Sequence, residues 1–224
     1  MSDKTEADPA SPARPVSGEA GFSLVDLAQW KASAADAAAL VAEYPLAWVM
    51  PRGADATQPH LLPLLAQTDE TGRIATLIGH MGRRNPLVRA FEIASGALIL
   101  FTGPQGYVSH ACVSNPRWAP TWNYAQLSIE AKVRLEPENG DAALLALVEA
   151  MDAAERTGWR PHDVGPRYRA MEQAIIAFRA DVTRIETRFK LGQEEPIETL
   201  REILVNHPDP ALVRWMRRAN RERL

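Results

Sequence analysis

The chain has 224 residues and a formal net charge of −3, from 25 Lys and Arg against 28 Asp and Glu. That near-balance gives no global reason to expect nucleic-acid binding, and 46% hydrophobic with 24% charged residues is the composition of a globular domain. The single cysteine, Cys112, excludes an intrachain disulfide and fits a reducing cytosol. No window reaches the roughly 18 uninterrupted apolar residues of a membrane span. The first residues lack the basic-then-apolar order of a signal peptide, so a cytoplasmic protein is expected.

Residues 1–21 are rich in Pro, Ser, Ala and acids, with Pro9, Pro12 and Pro15 as punctuation, and have little to bury. A disordered tail is expected there. Folded structure should start near Phe22. Ser33 followed by Asp36 has the form of a helix start, and the Ala-rich run predicts a helix over 34–43, stopped by Pro45. Residues 46–50, 60–67 and 74–79 read as three strands of a meander, separated by turn-rich segments at 51–59 and 69–72. Asn85-Pro86 is a strong opening for a short helix to about residue 93.

A fourth strand is expected over 97–102, turned by Gly103-Pro104-Gln105-Gly106 into a fifth over 107–113. Residues 121–135 form a long sixth strand in which Leu127, Ile129, Ala131, Val133 and Leu135 share one face. An amphipathic helix follows over 141–156, striped by Leu144, Leu145, Leu147, Val148 and Met151. A loop with Pro161, Gly165 and Pro166 leads to one more long strand over 175–189. Two short helices, split at Pro208 and Pro210, complete the chain. The antiparallel pattern with inserted helices predicts a small barrel rather than a parallel sheet.

Three segments carry chemistry. In G-H-M-G-R-R-N-P (79–86), His80, Arg83 and Arg84 precede a helix start, where a positive dipole end and guanidinium forks suit a phosphate. The bland alternative is a solvated arginine pair on a turn. F-T-G-P-Q-G-Y-V-S (101–109) lacks dinucleotide-binding spacing and reads as a strand turn near Tyr107, Ser109 and His110. In P-T-W-N-Y (120–124), Trp122 and Tyr124 share a strand face suited to stacking on a flat heterocycle or to an interface, with core packing an equal alternative. His60, His80 and His110 lack metal-ligand spacing. Ser109 and His110 would point oppositely in a strand, which excludes a dyad. The arginine run over 214–223 reads as an exposed helix face, with nucleic-acid contact as the alternative.

These three segments, with H-L-L-P (60–63) and I-I-A-F-R-A-D-V-T-R-I-E-T-R-F-K-L-G-Q (175–193), resemble the PaiB family of FMN-binding negative transcriptional regulators over residues 22–193. The resemblance implies an antiparallel split β-barrel of the FMN-binding, pyridoxamine-phosphate-oxidase-like group. That fold is mainly β with added helices, and homodimeric, with flavin at the subunit interface. It implies an FMN-binding barrel over 22–193, which leaves the disordered tail over 1–21 and a helical extension over 194–224 on either side. By position, His60 and Pro63 would line the strand beside the flavin, and His80, Arg83, Arg84 and Asn85 would grip its phosphate. Trp122 and Asn123 would approach from the partner subunit or shape the interface, and Lys190 and Gln193 would close over the same region. The chain departs from the family pattern at S-H-A-C-V (109–113) and K-L-G-Q-E (190–194). Three functions follow: an FMN-binding regulator, with DNA contact unsupported by the charge; a flavin-dependent oxidoreductase using NAD(P)H, in which the protein positions the ring and tunes it; or a flavin-less interaction protein.

Overall fold

The computed structural model describes residues 27–53, 58–152 and 158–224. The expected tail, the loop tip around Asp55 and the last turn of the helix expected to reach Arg156 lie outside the described residues. Six strands close into an antiparallel barrel in the order β1-β2-β3-β6-β5-β4. They are β1 Leu46–Pro51, β2 His60–Thr68, β3 Ile74–Gly82, β4 Gly96–Val108, β5 Thr121–Glu136 and β6 Ile175–Lys190. Among the described residues, six α-helices decorate it: α1 Ala34–Glu43, α2 Pro86–Ile93, α3 Gly140–Asp152, α4 Arg167–Gln173, α5 Ile197–Asn206 and α6 Pro210–Ala219.

The local signals act as their chemistry dictates. The Ser33 side chain accepts from the Asp36 amide and starts α1, while its hydroxyl donates back to the Asp36 carboxylate at 2.7 Å. Asn85 caps α2 by accepting from the Leu87 amide. Alternation along β5 puts Leu127, Ile129, Ala131 and Val133 in the core. They face Val49, Leu64, Leu77, Ile99, Phe101 and Phe178 from the other walls. Each of these side chains other than Ala131 contributes about 1.5–3 kcal/mol on burial.

Two readings need correction. The segment Gly103-Pro104-Gln105-Gly106 is not a hairpin turn: β4 runs through it to Val108, with only a register shift between Thr102 and Gln105. Glycine at 103 makes room for α1: a Cβ there would stand 2.3 Å from Leu40 Cδ1, so Leu40 would have to move. The expected fifth strand therefore ends early, and His110–Cys112 is a 3-10 turn capped by Ser109. The short α4, read as loop, also forms, and its carbonyl end is held by Arg83.

The two C-terminal helices are part of the packed interior. Leu200, Ile203, Leu212, Trp215 and Met216 are essentially inaccessible and join the barrel core. Trp215 stacks edge-on against Phe189 of β6 at 5.8 Å between ring centroids. Four arginines of the 214–223 run clamp α6 in place. Arg214 pairs with Glu43, and Arg218 and Arg221 with Asp36, while Arg223 donates to the carbonyls of Gln193 and Glu195. Burial pushes the Asp36 carboxyl up, but bonds from Ser33, Arg218 and Arg221 outweigh it and hold it below its ordinary range.

Candidate functional site

The candidate residues fall at two ends of β6. At its first end, His80 of β3 lies opposite Ala177. The β2–β3 register, in which Leu64 faces Gly79, continues to put Pro63 beside His80 on the outer wall. Pro63 in turn faces Leu46 of β1. Gly79 fixes this wall: a Cβ there would stand 2.5 Å from Leu64 and 2.8 Å from the Phe178 ring, so β3 must approach without a side chain. His60 has the parity of Leu62 and Leu64 and faces inward at the strand's mouth, so it does not share a face with Pro63.

Beyond His80 the chain turns into α2. His80 is largely buried, its Nδ1 has no hydrogen-bond partner, and burial holds its pKa below the ordinary value. The imidazole is therefore neutral near pH 7. Arg83 is engaged: its amide donates to Ala174 O and its Nε to Gln173 O, both at 2.9 Å. Asn85 spends its side-chain oxygen on the α2 cap. Pro86 brings no N–H, the Leu87 amide is capped and the Val88 amide bonds Asn85 O, so the helix start offers a dipole but few free donors. The Asn85 backbone amide is also spent, on Gly82 O, which leaves the exposed Arg84 guanidinium, the unpartnered His80 Nδ1 and the Asn85 side-chain amide nitrogen.

The other end of β6 is occupied differently. Lys190, opposite Tyr124 of β5, donates to Thr121 Oγ1, pairs with Glu194 at 3.5 Å and lies 5.9 Å from the Trp30 ring. Gln193 is spent locally, accepting from the Leu191 amide and donating to Phe189 O. Asn123 is 1% exposed beneath α6, where its amide contacts Met216 Sδ at 3.6 Å and its Oδ1 has no partner. Trp122, on the opposite face, is 58% exposed and tilts against the exposed Tyr107 ring at 5.8 Å.

A further feature joins the first end. The outer wall of β1 and β2 exposes Leu46, Trp48 and Leu61, with Trp48 directly opposite Leu61 and Leu100. The sequence held its signal: L-A-W-V-M and H-L-L-P-L-L are apolar on both faces, as in strands covered on both sides.

The family described as "Putative FMN-binding domain" matches residues 28–184, more than two thirds of the chain. The chain belongs to this family. FMN is the cofactor that membership assigns, and the exposed Arg84 guanidinium with the unpartnered His80 Nδ1 suits its phosphate. The Protease synthase and sporulation protein PAI 2 of Bacillus subtilis (strain 168) is 28% identical over 119 residues. That match spans 52% of this chain and 57% of the relative. Among solved structures, the FAD and heme binding protein from Mycobacterium smegmatis superposes with a TM-score of 0.53 at 15% identity, covering 78% of each chain. The flavocytochrome Anf3 from Azotobacter vinelandii does so with 0.54 at 13% identity, covering 81% of this chain and 78% of its own. Both support the barrel fold.

Proposed function

We propose that two copies of the chain bind FMN between them, and that the protein acts as a regulator through the state of that flavin. His80, Arg84 and Asn85 of one copy hold the phosphate, with Pro63 on the adjoining wall. Trp122 of the second copy covers the ring. The observation that carries this reading is the separation of the two candidate clusters. Ala177, opposite His80, and Lys190 stand thirteen positions apart along β6. In an extended strand that is on the order of 40 Å, several times the length of an isoalloxazine. The exposed Leu46, Trp48 and Leu61 supply an apolar wall that a second copy would cover.

Bound FMN would supply reversible acceptance of electrons or hydride. The chain's contribution is to neutralise the phosphate with Arg84, to keep the neutral His80 as a donor, and to exclude water at the apolar wall. The regulatory role follows the resemblance of the sequence to the PaiB family of negative transcriptional regulators. The internal engagement of Arg214, Arg218, Arg221 and Arg223 favours a route through flavin rather than through a grip on DNA phosphates. A second reading, a flavin-dependent oxidoreductase using NAD(P)H, is favoured by the exposed Tyr107–Trp122 pair, a face on which a second ring could stack.

The test is the absorbance spectrum of the purified protein after FMN addition and desalting, with molar mass by light scattering. We expect one flavin per chain on a dimer, and a flavin-free monomer for Trp48→Glu. A Trp48→Glu monomer that keeps one flavin per chain would sink the shared site.

A further inference from the structure

We propose a second anion-binding site, in the cleft between the start of α1 and the far half of β6, that takes an organic phosphate of nucleotide type. The site does not depend on the flavin reading. Its origin is a split in the barrel wall. β3 and β6 pair only from Thr76 opposite Asp181 to Gly82 opposite Ile175. Past Val182, β6 continues to Lys190 paired, among the described residues, with β5 alone. The segment leading into α1 crosses the gap and is fastened by the Ala32 amide to Thr187 Oγ1 at 2.8 Å. The cleft that remains is about 850 Å³, within the range of small-molecule sites.

Its chemistry is one-sided. Lys31, Arg73, Arg184 and Arg188 line it, against a single acid, Glu186, which is paired with Arg184. Neither Lys31 nor Arg188 forms an ion pair among the described residues. The acid in the first turn of α1, Asp36, is paired with Arg218 and Arg221, whose charges offset its own. Trp30 adds a specific donor: its indole nitrogen is buried at the cleft wall with no acceptor. Buried donors without partners are rare, and a ligand oxygen would satisfy this one. Ala37, Ile74 and Ile185 give the cleft an apolar floor. Cations and donors exclude a cationic ligand, and the floor and volume exceed what a bare phosphate fills. The fit is an anionic head on a flat, partly apolar body.

The experiment is calorimetric titration of the full chain, with and without saturating FMN, using ADP, pyrophosphate and adenosine as probes. We expect saturable ADP binding in both states, weaker pyrophosphate binding and no adenosine binding. Lys31→Gln and Arg188→Gln should each weaken ADP by about tenfold, the loss of one charge-assisted contact, with the melting temperature unchanged. Lys132→Gln, an exposed cation elsewhere on β5, should leave ADP binding as it is. Three results would overturn the proposal: no saturable heat with ADP or pyrophosphate, adenosine binding as well as ADP, or both cleft variants binding like the parent chain. If FMN saturation abolished ADP binding, the cleft would be the flavin's own seat and the second site would fall. Loss of flavin retention alone, with ADP binding intact, would count against the flavin reading and leave this site standing.

Discussion

The two ends of β6 carry equally suggestive sequence motifs, and the fold uses them in opposite ways. At the His80 end, the strand leads into a turn whose Arg84 stays exposed and whose His80 nitrogen stays unpartnered. At the Lys190 end, α5 and α6 settle on the barrel, bury Asn123 and leave Lys190 and Gln193 fully engaged. The difference teaches that a polar residue in a ligand-like motif signals binding only if the fold leaves its hydrogen-bonding capacity unspent.

Substitutions break this comparison most sharply where packing is densest. Trp215→Ala should cost about 3–5 kcal/mol in denaturant unfolding, because a fully buried ring is replaced by a cavity. A loss below about 1 kcal/mol would mean that the α6 end is loosely held and open to ligands.

At the opposite end the effect should move from stability to flavin. Arg84→Ala should weaken FMN by roughly 1.5–3 kcal/mol, the range for a bond to a charged group, measured by fluorescence quenching of added FMN. Its unfolding midpoint should stay put. The neighbouring Arg83→Ala should do the reverse, costing about 1–2 kcal/mol of stability through the lost contact to Gln173 O. Equal effects of the two on FMN would overturn the division between a structural and a binding arginine.

Asn123→Leu sharpens the same point with a smaller signal. Removing a buried carbonyl that has no partner should be neutral or stabilising by about 1 kcal/mol, with flavin retention unchanged. A large drop in retained flavin would return Asn123 to the site.

His80 gives the smallest effect, a pH dependence. Its folded pKa is below its ordinary value, so the unfolded chain binds the proton more readily. Stability should be intact above about pH 6.5 and fall as the pH drops below it, through the folded pKa. His80→Gln should flatten that slope in melts taken from pH 7.5 to 5; an unchanged slope would show that another group carries it.

Much of the fold was legible because its determinants are local. Ser33, Asn85-Pro86, the alternation of β5 and the break at Pro208 and Pro210 each act within a few residues of chain. Gly103 was misread because its reason is non-local: Leu40, more than sixty positions away in sequence, occupies the space a side chain would need. α4 was missed because it is short and directly follows the turn residues Gly165 and Pro166, with its end held by Arg83 from another element. The candidate site divides in the same manner. The motif around His80 shows in sequence which polar groups stand before α2, but whether Arg83 or Arg84 is free depends on where α4 lands.

The sequence by itself determined the periodicity of the strands, the starts of α1 and α2, and the family to which the chain belongs, since each is written in neighbouring residues. Only the tertiary structure decided which polar groups are spent. It turned the arginines near the C-terminus inward onto Asp36, Glu43 and backbone carbonyls, covered Asn123 with α6, and opened a cationic cleft where β3 runs out before β6 does. The physical reason is that hydrogen-bonding and charge capacity are satisfied across space, and no spacing along the chain records which partner arrives.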